Sequence, residues 1–331
     1  MAKVDNHKEL TYKEYLTTFN KSEVVKILDL FRIEYKKNQK KETYIDLVLN
    51  NTDKIVNDTL NIFQRDEFHN IKLLVKKKGR ITIRINHLLL SFLENLKKNN
   101  LIREETPKSY VMPKELLEIY KKKLKNKGPV EKCKNNTEEY ALIMGFIDAY
   151  GAIEFNKFYD SYSKKYKLAK DKTLERIKFI ADFYNEFRLY ESKDKIYLAS
   201  TVIKNLKTCN TLVKKKGEYA VYTNEELISI YNFSYMNKYK SYKKLLKFIK
   251  RNYYVEKSNF KVINNYILIP FLTNYQLDKE NALKLLSILI DKHFEFNNQK
   301  HKNRFTGLIE KVALDYPSWE LKGYSQRGKL C

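Results

Sequence analysis

Residues 22–49 read SEVVKILDLFRIEYKKNQKKETYIDLVL, and the spacing of their apolar side chains decides the fold class. Val24, Val25, Ile27 and Leu28 recur at the three-to-four-residue interval of one helical face, and Ser22 is placed to cap that helix. Phe31, Arg32 and Ile33 begin a more extended link that carries Lys36, Lys37, Lys40 and Lys41. A second helix follows with Tyr44, Ile45, Leu47 and Val48 on its apolar side. The unit of about residues 10–60 is therefore a helix–extension–helix. With 8 glycines and 5 prolines in 331 residues, sharp breaks are few, so a period near 3.6 persists along the chain and the fold is expected to be mainly α.

Beyond this unit, residues 62–125 form a second segment. Phe68, Ile71, Leu74 and Val75 share a helical face that runs into Lys76-Lys77-Lys78-Gly79-Arg80, with Gly79 as the expected C-terminal cap. Ile81, Ile83 and Ile85 alternate with polar residues, which predicts a short strand over 80–85 that includes Arg84. A helix with Leu89, Phe92, Leu93 and Leu96 comes next. Two short apolar pieces, Leu101-Ile102 and Tyr110-Val111-Met112, then flank a polar turn containing Pro107. Helices followed by a two-stranded ribbon are the one-dimensional pattern of a winged helix.

Residues 121–136, KKKLKNKGPVEKCKNN, contain Gly128 and Pro129 and form the expected boundary before a C-terminal helical domain over 137–331. In that domain an apolar helix runs through Met144, Phe146 and Ile147, breaks at Tyr150-Gly151 and restarts at Ala152-Ile153-Glu154-Phe155. Tyr219 to Tyr222 has the character of a small strand, Thr223 and Glu226 are spaced as a capping box, and Leu283, Leu286 and Ile290 mark another helix. Small β insertions in a helical array follow from this pattern, and no fixed-period repeat is present.

The chain carries 65 Lys+Arg against 40 Asp+Glu, a formal +25, of which 55 are lysine and 10 arginine. Residues 1–140 hold 30 basic and 20 acidic side chains, so both halves are basic. A field of that sign favours nucleic acid as the partner. The accompanying abundance of Asn, Ile, Tyr and Phe is also that of AT-rich codons, which leaves a second source for the charge. Cys133, Cys209 and Cys331 are far apart and odd in number, neither a disulfide framework nor a CxxC metal site, as in a reducing cytosol. The start MAKVDNHKEL lacks an apolar signal core and no stretch approaches 18 apolar residues, so a cytoplasmic location without membrane contact is expected.

Residues 22–49 resemble the SAP-like family, which includes the N-terminal helix–extension–helix of bacterial Rho factors. Phe31-Arg32-Ile33 stands where that family usually has Gly-Leu in the turn. Such modules bind DNA or RNA, and the resemblance implies contact through Lys36, Lys37, Lys40 and Lys41. The tail Tyr316-Pro317-Ser318-Trp319-Glu320-Leu321-Lys322-Gly323-Tyr324-Ser325 looks like a Pro-x-Trp-x-Leu-Lys-Gly ending of bacterial and phage-encoded proteins, which implies a bacterial or phage origin.

The candidate nucleic-acid contacts are thus Lys36, Lys37, Lys40 and Lys41; Lys76, Lys77, Lys78, Arg80 and Arg84 between the helices of the winged-helix-like segment; and Lys243, Lys247 and Arg251, where basic residues interleave with aromatics between Tyr235 and Tyr254. Phosphate contacts from such runs give salt-dependent, sequence-independent affinity. Enzymatic patterns are absent: there is no GxSxG, Walker loop or GxGxxG, and His293, Glu295 and His301 lack a zinc spacing. Asp182 and Glu186 sit four apart, as on one helical face, without a matching cluster. The expectation is a non-catalytic nucleic-acid-binding protein, DNA ahead of RNA, needing no cofactor or metal, with the C-terminal domain free to meet a protein partner. The alternative is a helical protein–protein adaptor whose basicity reflects codon usage.

Overall fold

The computed structural model describes residues 9–83, 86–126, 128–193, 195–253, 263–296 and 298–328. These residues are mainly helical, with two small three-stranded antiparallel sheets. They fall into two compact units: Met1–Tyr140 with Leu174–Asn185, and Ala141–Thr173 with Glu186–Cys331.

In the first unit, α1 (Tyr12–Thr17), α2 (Lys21–Leu30), α3 (Lys41–Asn50), α4 (Thr52–Leu60) and α5 (Arg65–Lys76) lead to β1 (Arg80–Thr82) and α6 (His87–Lys98). A hairpin of β2 (Arg103–Thr106) and β3 (Ser109–Val111) then precedes α7 (Lys114–Lys123). The expected helix–extension–helix is α2, a non-helical link and α3, but the first cap moves upstream. The Asn20 side chain accepts from the Glu23 amide at 3.0 Å while Glu23 accepts from the Asn20 amide at 2.7 Å, and Ser22 only donates to Asn20 Oδ1. That reciprocal box satisfies two orphan amides, which a lone serine cannot do.

The cap of α5 is also one residue from its expected place. Lys78 takes the left-handed conformation at φ +54, and the Gly79 amide reaches back to the Leu74 carbonyl at 2.9 Å. The strand that follows covers Arg80–Thr82, while Arg84 and Ile85 lie outside the described residues. Strand order is β1-β3-β2, so Arg80 to Thr82 pair with the far strand of the hairpin. Leu101 and Ile102 are buried ahead of β2 instead of within it.

Phe63 centres the core of this unit. Its ring lies 5.4 Å from Phe92, 6.4 Å from Tyr120 and 6.2 Å from Phe183, and the Tyr120 and Thr59 hydroxyls share a 2.6 Å hydrogen bond. Residues of both N-terminal segments, 10–60 and 62–125, therefore contribute to one core. Phe183 belongs to a helix from later in the chain. After α8 (Gly128–Tyr150) and α9 (Phe155–Lys165), α10 (Lys170–Tyr184) supplies Leu174 onward to the first unit. There Arg176 binds the buried Glu139 carboxylate, with Nε to Oε1 at 2.7 Å, and donates to Asn136 Oδ1 and the Asn61 carbonyl. Gly128 and Pro129 open α8 and do not break it, because a proline in the first turn gives up an amide that has no helical partner anyway. Helix α10 ends at Tyr184, so Asp182 and Glu186 do not share a helical face.

In the second unit, Gly151 ends α8 at φ +69 as the expected break, and the segment restarts as a short strand, β4 (Ala152–Glu154), ahead of α9. β5 (Phe187–Ser192) and β6 (Lys195–Ser200) form a hairpin, and β4 pairs with β6 to give the order β4-β6-β5. α11 (Leu206–Lys214) and α12 (Asn224–Tyr231) follow, the latter opened by the expected Thr223–Glu226 capping box. Tyr219 to Tyr222 is irregular and not a strand: Val221 is 94% exposed, and the Ala220 amide bonds to the Lys322 carbonyl.

The unit is completed by α13 (Lys240–Asn252), α14 (Ile269–Tyr275), α15 (Lys279–His293) and α16 (Gln299–Asp315). The tail beyond α16 is a packed turn. Trp319, 2% exposed, shares one buried cluster with Ala152, Tyr197, Ala199 and Ile203, and its indole N–H donates to the Asp148 carbonyl at 2.9 Å. Gln276 bridges the turn, accepting from the Trp319 amide at 3.1 Å and donating to the Pro317 carbonyl at 3.0 Å. Among the described residues no helix is long and apolar enough to cross a membrane.

Candidate functional site

The sequence KSYKKLLKFIKRN of α13 divides its residues between two faces. Tyr242, Leu245, Phe248 and Ile249 recur at helical spacing and are buried, whereas Lys243, Lys244, Lys247, Lys250 and Arg251 are exposed. In α16 the inward row is Phe305, Ile309, Val312 and Ala313. The two helices pack through Phe248 and Phe305, whose ring centroids are 5.8 Å apart.

Packing the apolar rows together places the flanking rows opposite one another. Lys244, Lys247 and Arg251 of α13 and Arg304, Gly307, Leu308 and Lys311 of α16 line a cleft of about 580 Å³, with Phe248 and Asn252 in its wall. Among the described residues that line it, five side chains are cationic and none is a carboxylate. Among the described residues none of the five forms an ion pair. The Arg304 guanidinium lies 5.7 Å from the Phe248 ring centroid. Like charges gathered in a concavity reinforce one another's potential, because its low-dielectric walls focus the field. Such a site attracts anions.

A second cleft, about 450 Å³, lies in the first unit between Asn57, Leu60, Asn61, Lys123, Asn126, Gly128 and Lys132. Among its described residues the two cations have partners. Lys123 pairs with Asp53 at 2.8 Å, and Lys132 donates to Asn61 Oδ1 at 2.7 Å. That contrast singles out the cleft between α13 and α16.

The lysines expected to make contact are distributed as follows. Lys247 and Arg251 line the α13–α16 cleft, and Lys243 is exposed on α13 outside its lining. Lys36, Lys37 and Lys40 are exposed in the link between α2 and α3, but Lys41 donates to the Thr17 carbonyl at 2.7 Å. Lys76, Lys77 and Lys78 are exposed at the end of α5, while Arg80 is ion-paired with Glu105. Arg84 lies outside the described residues. Lys244 belongs to the same basic run of α13, whereas sequence reasoning missed Arg304 and Lys311. Arg304 and Lys311 are seven residues apart, two turns on one face, which is the signal that marks them.

Among the described residues no group of three or more His, Cys, Asp or Glu side chains is placed to hold a metal ion. Cys133 and Cys209 are buried and in no disulfide, and burial pushes the Cys209 thiol up to about 11. Neither has the exposed setting of a reactive cysteine. No family model, curated protein or solved structure matches this chain.

Proposed function

We propose that this protein binds nucleic acid, with the α13–α16 cleft as its principal contact and the lysine-bearing link between α2 and α3 as a second. One observation carries the reading: among the described residues, five cations from two helices line a single cleft without a carboxylate among them. Polyanions gain most from such a site, because each neutralised phosphate releases condensed counterions. The SAP-like pattern of residues 22–49 adds the exposed Lys36, Lys37 and Lys40 and makes DNA the first ligand to test. Binding without catalysis, in a regulatory or accessory role and a cytoplasmic setting of bacterial or phage origin, is the form of the proposal.

The test is fluorescence anisotropy of labelled mixed-sequence DNA at increasing salt. If all five cations meet phosphates, log affinity against log salt has a slope of about −3.5 for a single strand and about −4.5 for a duplex. Absence of micromolar binding at low ionic strength overturns the proposal.

The adaptor reading rests on a different observation. Lys41, Arg80, Lys97 and Lys123 are engaged with carbonyls or carboxylates of the fold, so part of the positive charge serves structure. A protein partner that copurifies while nucleic acid does not bind would favour it.

A further inference from the structure

We infer that the α13–α16 cleft takes an unpaired, phosphate-bearing strand and not a duplex; this rests on the nucleic-acid reading above. Three features of the site carry the inference.

The first is size. A concavity of about 580 Å³ is in the range of small-molecule pockets and accommodates one or two nucleotides. A double helix, whose major groove alone is about 12 Å wide, cannot enter it and reaches only its rim.

The second is Gly307. It lies inside α16, where glycine costs about 0.5–1 kcal/mol relative to alanine. Among the described atoms, a Cβ there would meet nothing within 4 Å, so no close helix packing requires its absence. Its effect is on the cleft, whose wall it leaves without a side chain at the midpoint between Arg304 and Lys311.

The third is Arg304. Its guanidinium is held beside the Phe248 ring, and Phe248 is itself buried. A guanidinium so placed offers both phosphate donors and a planar surface on which an exposed base stacks. Bases inside a duplex present no free face to it. Lys244, Lys247, Arg251 and Lys311 surround the same space as phosphate ligands.

The experiment compares a labelled oligothymidylate single strand with a mixed-sequence duplex of equal length, by anisotropy on the full chain at low salt. The single strand is expected to bind about tenfold tighter. Gly307→Trp, which fills the cleft, and Arg304→Met, which removes the planar cation, are each expected to weaken the single strand about tenfold, and the duplex, which meets only the rim, by less. Circular dichroism melts of both variants establish that they fold, and Arg304→Met, which changes only an exposed residue, carries the test if Gly307→Trp does not. Equal or tighter duplex binding, or a single strand indifferent to Arg304→Met, overturns the inference and leaves the nucleic-acid reading standing. No binding of either form overturns both.

Discussion

Replacing Gly151 by alanine should destabilise the second unit more than any surface change. Gly151 sits at φ +69, and an added Cβ would lie 2.3 Å from Trp319 Cδ2 and 2.6 Å from its Cγ and Cε3. The left-handed conformation costs a residue with a Cβ about 1–2 kcal/mol. Forcing a methyl into a packed indole costs about 1–3 kcal/mol more. The sum, about 2–5 kcal/mol, is a large share of the ~5–15 kcal/mol by which domains are stable. Trp319 is the only tryptophan and is buried in the second unit, so its fluorescence in a urea titration reports the unfolding of that unit alone. The expected result is a lower urea midpoint with an unchanged slope. A loss below about 1 kcal/mol would show that the Trp319 turn yields freely, and would refute the close packing of Gly151 against it.

Three further outcomes follow from the same structure. Arg176→Met leaves the buried Glu139 carboxylate without its cation and should cost about 3–5 kcal/mol in denaturant unfolding of the first unit, whereas a loss under about 1 kcal/mol would mean the pair is dispensable. Lys247→Gln with Arg251→Gln should reduce the slope of log affinity against log salt by about 1.4 for a single strand, and an unchanged slope would remove both residues from the contact. Burial, with the neighbouring Glu186 charge adding to it, pushes the Asp148 carboxyl up to about 7. Because the folded state then holds a proton that the unfolded chain releases near pH 4, Asp148 makes stability fall between about pH 4 and pH 7. Asp148→Asn should flatten that decline in urea midpoints measured across the window; an identical pH profile in the variant would contradict it.

Helix positions are legible because the apolar spacing that buries Val24, Ile27 and Leu28, or Tyr242, Leu245 and Phe248, is local in sequence. Caps are legible where the box is local and unambiguous, as at Thr223 and Glu226, and misplaced where two candidates compete, as with Ser22 against Asn20. Proline at 129 misleads because its meaning depends on position, a breaker inside a helix but an ordinary residue in the first turn. The contribution of α10 to the first unit is not legible at all. Phe183 and Arg176 meet Phe63 and Glu139 across long stretches of chain, and no local pattern encodes such pairings.

The cleft follows the same rule. Lys247 and Arg251 stand out as a basic helix face, but their opposition to Arg304 and Lys311 depends on Phe248 packing against Phe305, 57 residues away in the chain. The conspicuous Pro-x-Trp turn, by contrast, spends its tryptophan on packing and an indole hydrogen bond to the Asp148 carbonyl. Its presence in the sequence marks a structural lock.

The central claim, that nucleic acid occupies the α13–α16 cleft, is tested most directly by lysine footprinting. The full chain is reductively methylated with and without a saturating single-stranded oligonucleotide, and each modified lysine is quantified by mass spectrometry. Lys244, Lys247 and Lys311 should be protected, with Lys121 and Lys122, exposed on α7 outside either proposed contact, labelled equally in both samples. Bound oligonucleotide that leaves Lys244, Lys247 and Lys311 as reactive as Lys121 and Lys122 would contradict the claim.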